Sequence, residues 1–171
     1  MGIRLSLVEV LLRTPKHQMK LKYFTNTPAQ TKKLGRILAE EILKTPPIKK
    51  AFVLALEGDL GGGKTTFLQG FARGLKIKEK ILSPTFVLMK KFRIPKSNFQ
   101  NFYHIDCYRI AKVREILNLG FQTIISNPKN IIAIEWADRI KKLLPKNISN
   151  LRFIFLNKKE REIVLQFKNG K

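Results

Sequence analysis

Residues 51–66 read AFVLALEGDLGGGKTT. The apolar run at residues 51–56 predicts a buried strand, and the stretch from Gly58 to Thr65 has the spacing GxxxxGKT. Glycines let the backbone wrap around an anion, and the helix that begins near Lys64 adds the positive end of its dipole. Lys64 can reach the β- and γ-phosphates, and the Thr65 hydroxyl can ligate Mg²⁺. This order of strand, loop and helix predicts a nucleoside triphosphate site.

Two acidic residues end predicted buried strands, where phosphate-loop enzymes hold Mg²⁺ and position water. Asp106 follows the strand at residues 99–105, and Glu135 follows the strand at residues 131–134. One carboxylate can coordinate the metal, directly or through water, while the other orients an attacking water. The structural alternative for each acid is to cap a strand end or pair with a nearby Lys or Arg. Two such acids in a chain with only 12 acidic residues favour a hydrolytic site.

Three nearby features each have a functional and a structural interpretation. Ser83-Pro84-Thr85-Phe86 is either a loop that senses the γ-phosphate or a turn initiated by Ser-Pro. His104 shares one strand face with Asp106 and is either a phosphate or substrate contact or a hydrogen-bonded core residue. Trp136, next to Glu135, is either a core anchor or a shield over the site.

The bulk composition bounds the class of protein. The 171 residues suit one domain with a sizeable core. The net charge of +22 indicates either binding to nucleic acid or an acidic partner, or simply a lysine-rich proteome. The even spread of basic residues along the chain favours the second explanation. A single cysteine, Cys107, excludes an intrachain disulfide and suits the cytoplasm. No apolar segment is long enough to span a membrane, so we expect no membrane partner.

We expect one α/β domain over residues 23–171, with a basic extension at residues 1–22. The extension is interpreted as a tail, a targeting peptide or a stretch before an alternative start at Met19. The fold class is a P-loop NTPase fold with a mixed, partly antiparallel central sheet flanked by helices. The predicted strands lie at residues 51–57, 85–92, 99–105, 131–134, 152–156 and 162–167. The predicted helices begin near Pro28, Lys64, Val113 and Ala137.

Taken in order, these motifs resemble the TsaE family, formerly called YjeE. The matching segments are GDLGGGKTTF at 58–67, SPTF at 83–86, HIDCYR at 104–109, Glu115, Leu119-Gly120 and EWADR at 135–139. Thr31-x-x-Leu34-Gly35 also matches, so the resemblance covers about residues 26–140.

The resemblance implies a small ATPase of the bacterial tRNA threonylcarbamoyladenosine (t6A) machinery, with ATP and Mg²⁺ as cofactors. Its partners in that family are TsaB and TsaD, which transfer a threonylcarbamoyl group to adenosine 37 of tRNA. The ATPase subunit does not carry out this transfer. Its ATP binding and hydrolysis reset the complex between rounds. The resemblance therefore implies that the ATPase subunit acts on tRNA only indirectly, through the complex.

Residue roles carried over by position are also implied by the resemblance. Thr65 and Glu135 would ligate Mg²⁺, and Asp106, with Lys64, would serve hydrolysis. Ser83–Phe86 would form a switch-like loop. The nucleotide would be bound by Leu60, Gly61, Gly62, Gly63, Lys64, Thr65 and Thr66, with Thr31 and Arg161 near the base. Where the family usually has Ala, this chain has Gly62.

Two alternatives stay open on the sequence alone. The first is a small-molecule kinase on the same fold, which would place phosphoryl groups on an acceptor. The second is a basic nucleic-acid-binding protein in which the phosphate loop has no catalytic role. Turnover of ATP with and without acceptors tests the first, and RNA binding that ignores Lys64→Ala would favour the second.

Overall fold

A computed structural model of the protein describes residues 19–47, 49–82, 87–145, 148–157 and 159–167. The strands are β1 (Met19–Thr25), β2 (Phe52–Gly58), β3 (Met89–Arg93), β4 (Asn101–Asp106), β5 (Asn130–Glu135), β6 (Ser149–Phe155) and β7 (Arg161–Phe167). The helices are α1 (Pro28–Leu43), α2 (Lys64–Gly74), α3 (Val113–Asn118), α4 (Phe121–Ser126) and a 3-10 helix (Ala137–Leu143).

The strands form one mixed sheet in the order β1-β7-β6-β2-β5-β4-β3. Its four central strands, β6, β2, β5 and β4, are parallel, so their carboxyl ends lie at one edge. β3 pairs antiparallel with β4 at one side, and β7 and β1 continue the sheet antiparallel at the other. The predicted α/β fold with a partly antiparallel sheet is confirmed.

Helices cover the sheet on both faces, which explains why β2 and β5 are continuously apolar rather than alternating. One face packs against α1 and α2, and the other packs against α3, α4 and the 3-10 helix. On β2, Leu54 and Leu56 face the first layer, while Val53 and Ala55 face the second. The prediction of a fully buried strand before the glycine-rich loop is therefore confirmed.

Close packing of α1 against α2 depends on glycine. A Cβ built on Gly70 would lie 1.9 Å from the backbone oxygen of Lys32, and one built on Gly35 would lie 2.2 Å from that of Phe67. Glycine lowers helix propensity, yet here it lets two helix backbones approach. The position of α2, and therefore of Lys64 at its first turn, is set by this contact.

The structure adds two elements that the sequence pattern did not predict. β1 pairs along its whole length with β7, with Leu21 and Tyr23 against the core, so the boundary expected at residue 23 falls inside this strand. α4 buries Phe121 and Ile125, a spacing of four that is helical but too short to stand out from its surroundings. Residues 1–18 lie outside the described residues.

The remaining elements differ from the prediction mainly at their ends. β3 begins at Met89, four residues later than expected, and the helix predicted to begin near Ala137 is a 3-10 helix. No helix in the described ranges combines the length and apolar character needed to cross a membrane.

We expect Gly70→Ala to lower the free energy of unfolding by about 1–3 kcal/mol, because the added methyl overpacks the α1–α2 contact. Helix propensity alone predicts the opposite sign, a gain of up to about 1 kcal/mol. Urea unfolding followed by circular dichroism measures the change. The exposed Lys33→Ala on α1 is the control, expected within about 0.5 kcal/mol of the parent. A stabilised Gly70→Ala variant would show that the two backbones can separate without cost.

Candidate active site

The glycine-rich loop connects β2 to α2 with backbone angles that need glycine at its ends. Gly58 has φ +130° and a Cβ there would lie 2.3 Å from the backbone oxygen of Phe153. Gly63 caps α2 in the left-handed region, with φ +99° and ψ 11°. Residues with side chains rarely adopt these angles, and glycine lets the loop turn sharply into the first turn of α2, whose residues are buried or half-buried. Such a helix start attracts anions through its backbone N–H groups and its dipole.

Lys64 is held inside this loop rather than extended into solvent. Its Nζ donates to the backbone oxygens of Gly58 at 2.6 Å and Asp59 at 2.8 Å, and it lies 4.1 Å from the centroid of the Trp136 ring. Burial lowers the pKa of the Lys64 ammonium, while the carboxylates of Glu135, Asp106, Asp59 and Asp138 act against that shift. The loop therefore holds a partly desolvated cation among four acids.

The parallel register brings the two predicted strand-end acids side by side. Asp106 of β4 pairs with Glu135 of β5, which in turn pairs with Leu56 of β2. Both carboxyl groups are buried, and the Thr65 hydroxyl donates to Glu135, at 3.0 Å from Oε1 and 2.9 Å from Oε2. The structure thus brings Asp106 and Glu135 together at the end of the glycine-rich loop.

Asp106 has a defined orientation. Its Oδ1 accepts a hydrogen bond from the backbone N–H of Tyr108 at 2.9 Å, and its own N–H donates to the backbone oxygen of Leu88 at 3.0 Å. The first contact closes a turn of the type that Asp favours. This turn keeps Tyr108 close to Asp106 at the end of β4.

These elements enclose a cleft of about 290 Å³ at the carboxyl edge of the sheet. Such clefts are where open α/β sheets bind ligands. Predicted residues that line it are Leu60, Gly61, Gly62, Gly63, Lys64, Thr65, Thr66, Asp106, Glu135 and Trp136. Ser83, Pro84, Thr85 and Phe86, the expected switch-like loop, lie outside the described residues.

Trp136 adopts an unusual backbone conformation. Its φ of 58° and ψ of 44° lie in the left-handed region, which costs a non-glycine residue roughly 1–2 kcal/mol. The ring lies 5.0 Å from that of Tyr108, and the Arg139 guanidinium lies 6.0 Å from its centroid. Strain of this kind concentrates at functional sites. Trp136 lines the cleft and also packs, partly buried, against the core of the second helix layer, so its position agrees with both the shield and the core-anchor interpretation.

Three predicted residues do not line the cleft. His104 is fully buried beneath it, with Nε2 2.8 Å from Glu135 Oε1, which agrees with the alternative of a hydrogen-bonded core residue. Thr31 is also buried, and its hydroxyl shares a hydrogen bond with Thr25 at 2.9 Å. Arg161 lies against the loop, because a Cβ built on Gly63 would be 3.6 Å from its Cδ and 3.8 Å from Thr31 Cγ2. Thr31 and Arg161 therefore flank the loop outside the cleft itself.

Two further positions bear on the chemistry. A Cβ on Gly62 would lie 2.9 Å from the backbone oxygen of Asp59, so an alanine here would require the loop to shift. Burial raises the pKa of the Cys107 thiol to about 12, which leaves no thiolate for nucleophilic attack at neutral pH. Cys107 is fully buried and packs as a small apolar side chain in the core of the second helix layer.

The donor set fits a hard divalent cation. Thr65 and Glu135 offer a hydroxyl and a carboxylate at the start of a helix, already within 3.0 Å of each other. Magnesium prefers oxygen ligands and usually keeps phosphate and water in its remaining positions. The two residues predicted to ligate Mg²⁺ are thus in direct contact, and each offers oxygen of the kind that Mg²⁺ prefers.

Comparison with known proteins agrees with this geometry. The model of the family described as "Threonylcarbamoyl adenosine biosynthesis protein TsaE" matches residues 25–163. The chain belongs to the TsaE family. Its curated relatives include the tRNA threonylcarbamoyladenosine biosynthesis protein TsaE of Nostoc, 38% identical with 70% of this chain and 69% of the relative covered. The Bacillus subtilis protein of the same name is 35% identical, with 84% of each chain covered.

A solved structure supports the family assignment. The crystal structure of Bacillus subtilis YdiB superposes with a TM-score of 0.66 at 28% identity, covering 91% of this chain and 90% of that one. The resemblance to TsaE that was inferred from the motifs is thereby confirmed, and the family is one of tRNA t6A biosynthesis.

Sequence reasoning missed three residues that line the cleft of this TsaE protein. They are Leu88, Tyr108 and Arg109. Tyr108 and Arg109 directly follow a strand-end acid, and that position was a usable signal, since chain leaving the carboxyl end of a central strand borders the site. Leu88 carried no such signal, because it precedes an edge strand.

We expect Glu135→Gln to lower the pKa of Lys64 further, because this carboxylate is the largest influence that raises it. A ¹³C NMR titration of the lysine side chains without Mg²⁺ measures the shift. Because the pKa of Lys64 is lower in the folded than in the unfolded state, the free energy of unfolding rises with pH between the folded-state pKa and the ordinary value of 10.5. The variant lowers the folded-state pKa further, so this pH interval becomes wider. Glu40→Gln, a change of the same kind at an exposed ion pair, is the control. An unchanged or raised pKa in Glu135→Gln would contradict the geometry.

Proposed function

We propose that the protein binds Mg–ATP and hydrolyses it, and that this activity drives tRNA t6A modification through a TsaB–TsaD complex. The observation that carries the proposal is the meeting of Lys64 and Thr65, at the start of α2, with Asp106 and Glu135 in one cleft. Membership of the TsaE family supports the pathway.

Binding of the phosphates follows from the loop and the helix start. The residues from Gly61 to Thr66, Lys64 among them, line the cleft. Since Lys64 has three N–H donors and two already bond to backbone oxygens, the third can serve a phosphate oxygen. Arg161, packed against Phe155 at 5.4 Å and against Gly63, is suited to contact the base or ribose beyond the loop.

Thr65 and Glu135 would hold the metal. Magnesium, when bound, neutralises charge that develops on the transferred phosphoryl group. Glu135 is only 3% exposed, so few waters compete with the hydroxyl and carboxylate oxygens for that position. The chain's contribution is therefore a rigid pair of oxygen ligands on two elements, the first turn of α2 and the end of β5.

Asp106 is placed to orient the attacking water. It borders the same cleft, its Oδ1 is fixed by the N–H of Tyr108, and it is 7% exposed. A carboxylate in this position accepts a hydrogen bond from water and aims its lone pair at the γ-phosphorus. Because nothing in this arrangement requires an acceptor molecule, hydrolysis is favoured over transfer to a metabolite.

In this proposal the threonylcarbamoyl transfer is carried out by the partners and not by this chain. The acids described around the cleft lie close to Lys64 in the glycine-rich loop. The Cys107 thiol is buried and protonated, so it does not offer a nucleophile for acyl transfer. The site therefore suits ATP rather than an acyl carrier. Leu60 and Tyr108 are 71% and 40% exposed at the cleft, where a partner can reach them. The TsaB–TsaD pair would respond to the nucleotide through this exposed rim, with tRNA bound by the complex.

We expect Lys64→Ala to weaken Mg–ATP binding by roughly 10- to 100-fold, the value of a charge-assisted hydrogen bond, and to abolish support of t6A formation. Calorimetry measures the affinity, and mass spectrometry of tRNA nucleosides measures t6A in multiple turnovers with TsaB and TsaD. Thr65→Ala should lose the Mg²⁺-dependent part of binding, whereas the exposed Lys50→Ala should match the parent. Unaltered binding and t6A yield in both site variants would refute the assignment, and phosphate found on a metabolite would favour a kinase.

We expect Asp106→Asn to lower kcat for ATP hydrolysis by about 100-fold or more while changing nucleotide affinity less than about 3-fold. The asparagine keeps the shape and the bond from Tyr108 N–H but lacks the charge that polarises water. Asp138→Asn is the matched control, since it removes a nearby charge that acts on Lys64 but does not border the cleft. Equal loss of kcat and affinity in Asp106→Asn would indicate a structural role.

A further inference from the structure

A buried chain of hydrogen bonds runs from the core to the proposed metal ligands. His104 Nε2 lies 2.8 Å from Glu135 Oε1, and the Thr65 hydroxyl lies within 3.0 Å of both Glu135 oxygens. His104 is completely buried and Glu135 nearly so. The imidazole sits behind the carboxylate and does not border the cleft.

The chemistry of the groups decides the direction of this bond. An ionised carboxylate only accepts, so Nε2 carries the hydrogen and donates to Oε1. Because Oε1 accepts this bond from the buried imidazole, rotation of the Glu135 carboxyl group is restricted. Oε2 receives no bond from His104 and so remains able to act as an acceptor or metal ligand. Thr65, which can donate one hydrogen only, shares it between both oxygens.

The strand register makes room for this contact. His104 pairs with Ala133 on the neighbouring strand, and that small side chain leaves space for the ring to reach Glu135 two residues further along. The other ring nitrogen, Nδ1, is buried without a hydrogen-bond partner among the described residues. An unsatisfied buried polar atom costs roughly 1–3 kcal/mol, and such a cost calls for a compensating role.

We propose that His104 is a positioning residue for Glu135, which it holds in the rotamer that binds Mg²⁺ with Thr65. This inference rests on the proposed Mg–ATP function. Groups that orient a metal ligand from behind commonly change metal affinity by 10- to 100-fold when removed. A purely structural His104 would instead contribute to folding and leave the metal dependence of nucleotide binding unaltered.

The test compares two amides that place their N–H donors differently. In His104→Gln the amide nitrogen takes the place of Nε2 and can still reach Glu135, whereas in His104→Asn it takes the place of Nδ1 and cannot. Affinity for the non-hydrolysable analogue AMPPNP is measured by calorimetry in excess Mg²⁺ and in excess EDTA, and thermal unfolding is recorded for each variant. The ratio of the two affinities isolates the metal contribution from folding.

We expect His104→Asn to reduce that ratio by about tenfold or more, and His104→Gln to stay within about threefold of the parent. In EDTA all three proteins should bind AMPPNP alike. Phe102→Leu, on the same strand face and fully buried, is the control for lost stability and should keep the parent ratio.

Two results would overturn the inference. Equal ratios in the Asn and Gln variants would show that the donor at Nε2 does not matter, and a parallel loss with and without Mg²⁺ would assign a structural role. If the parent itself showed no Mg²⁺ dependence, the proposed Mg–ATP function would fail together with this inference. Mg²⁺ dependence in the parent with unaltered variants would overturn the role of His104 alone.

Discussion

The parallel pairing of β2, β5 and β4 is the constraint on which the site depends. It sets Leu56, Glu135 and Asp106 in one row, so that the phosphate loop leaving β2 meets two acids without any long-range adjustment of side chains. A shift of one residue in either pairing would turn an acid to the opposite face of the sheet, among the apolar residues of the second helix layer. The buried apolar residues of these strands fix the register, and the register fixes the positions of the two acids.

The distribution of charge follows from this row. The chain has 34 basic and 12 acidic residues, yet all three of its aspartates, Asp59, Asp106 and Asp138, act on Lys64 together with Glu135. Acids are therefore concentrated where a cation is buried, while basic residues are spread over the rest of the chain. The four carboxylates offset part of the cost of burying Lys64, whose pKa still lies below its ordinary value because desolvation has the larger effect.

Local signals in the sequence were sufficient for the loop, the central strands and the mixed sheet. The GxxxxGKT spacing and the apolar runs before Asp106 and Glu135 each depend on a few adjacent residues, so they could be read without knowing the fold. β1 could not be predicted in this way, because Met19–Thr25 is an edge strand whose partner, β7, lies at the other end of the chain. His104 illustrates the same limit. Its shared face with Asp106 was evident, but its partner, Glu135, is 31 residues away and becomes visible only through the strand register.

The backbone strain at Trp136 connects the rigid and the exposed parts of the site. Glu135 must end its strand buried, while the following residue must turn at once so that its ring lies over the Lys64 ammonium. Neither a longer strand nor a regular helix start would bring the ring there, and the left-handed conformation does so at a cost of roughly 1–2 kcal/mol. The contact of the ring with Lys64, worth about 1–2 kcal/mol in a desolvated setting, is of the same size. The strain is thus offset locally, and an acid followed by a tryptophan at this strand end lets Glu135 stay buried while the ring covers the Lys64 ammonium.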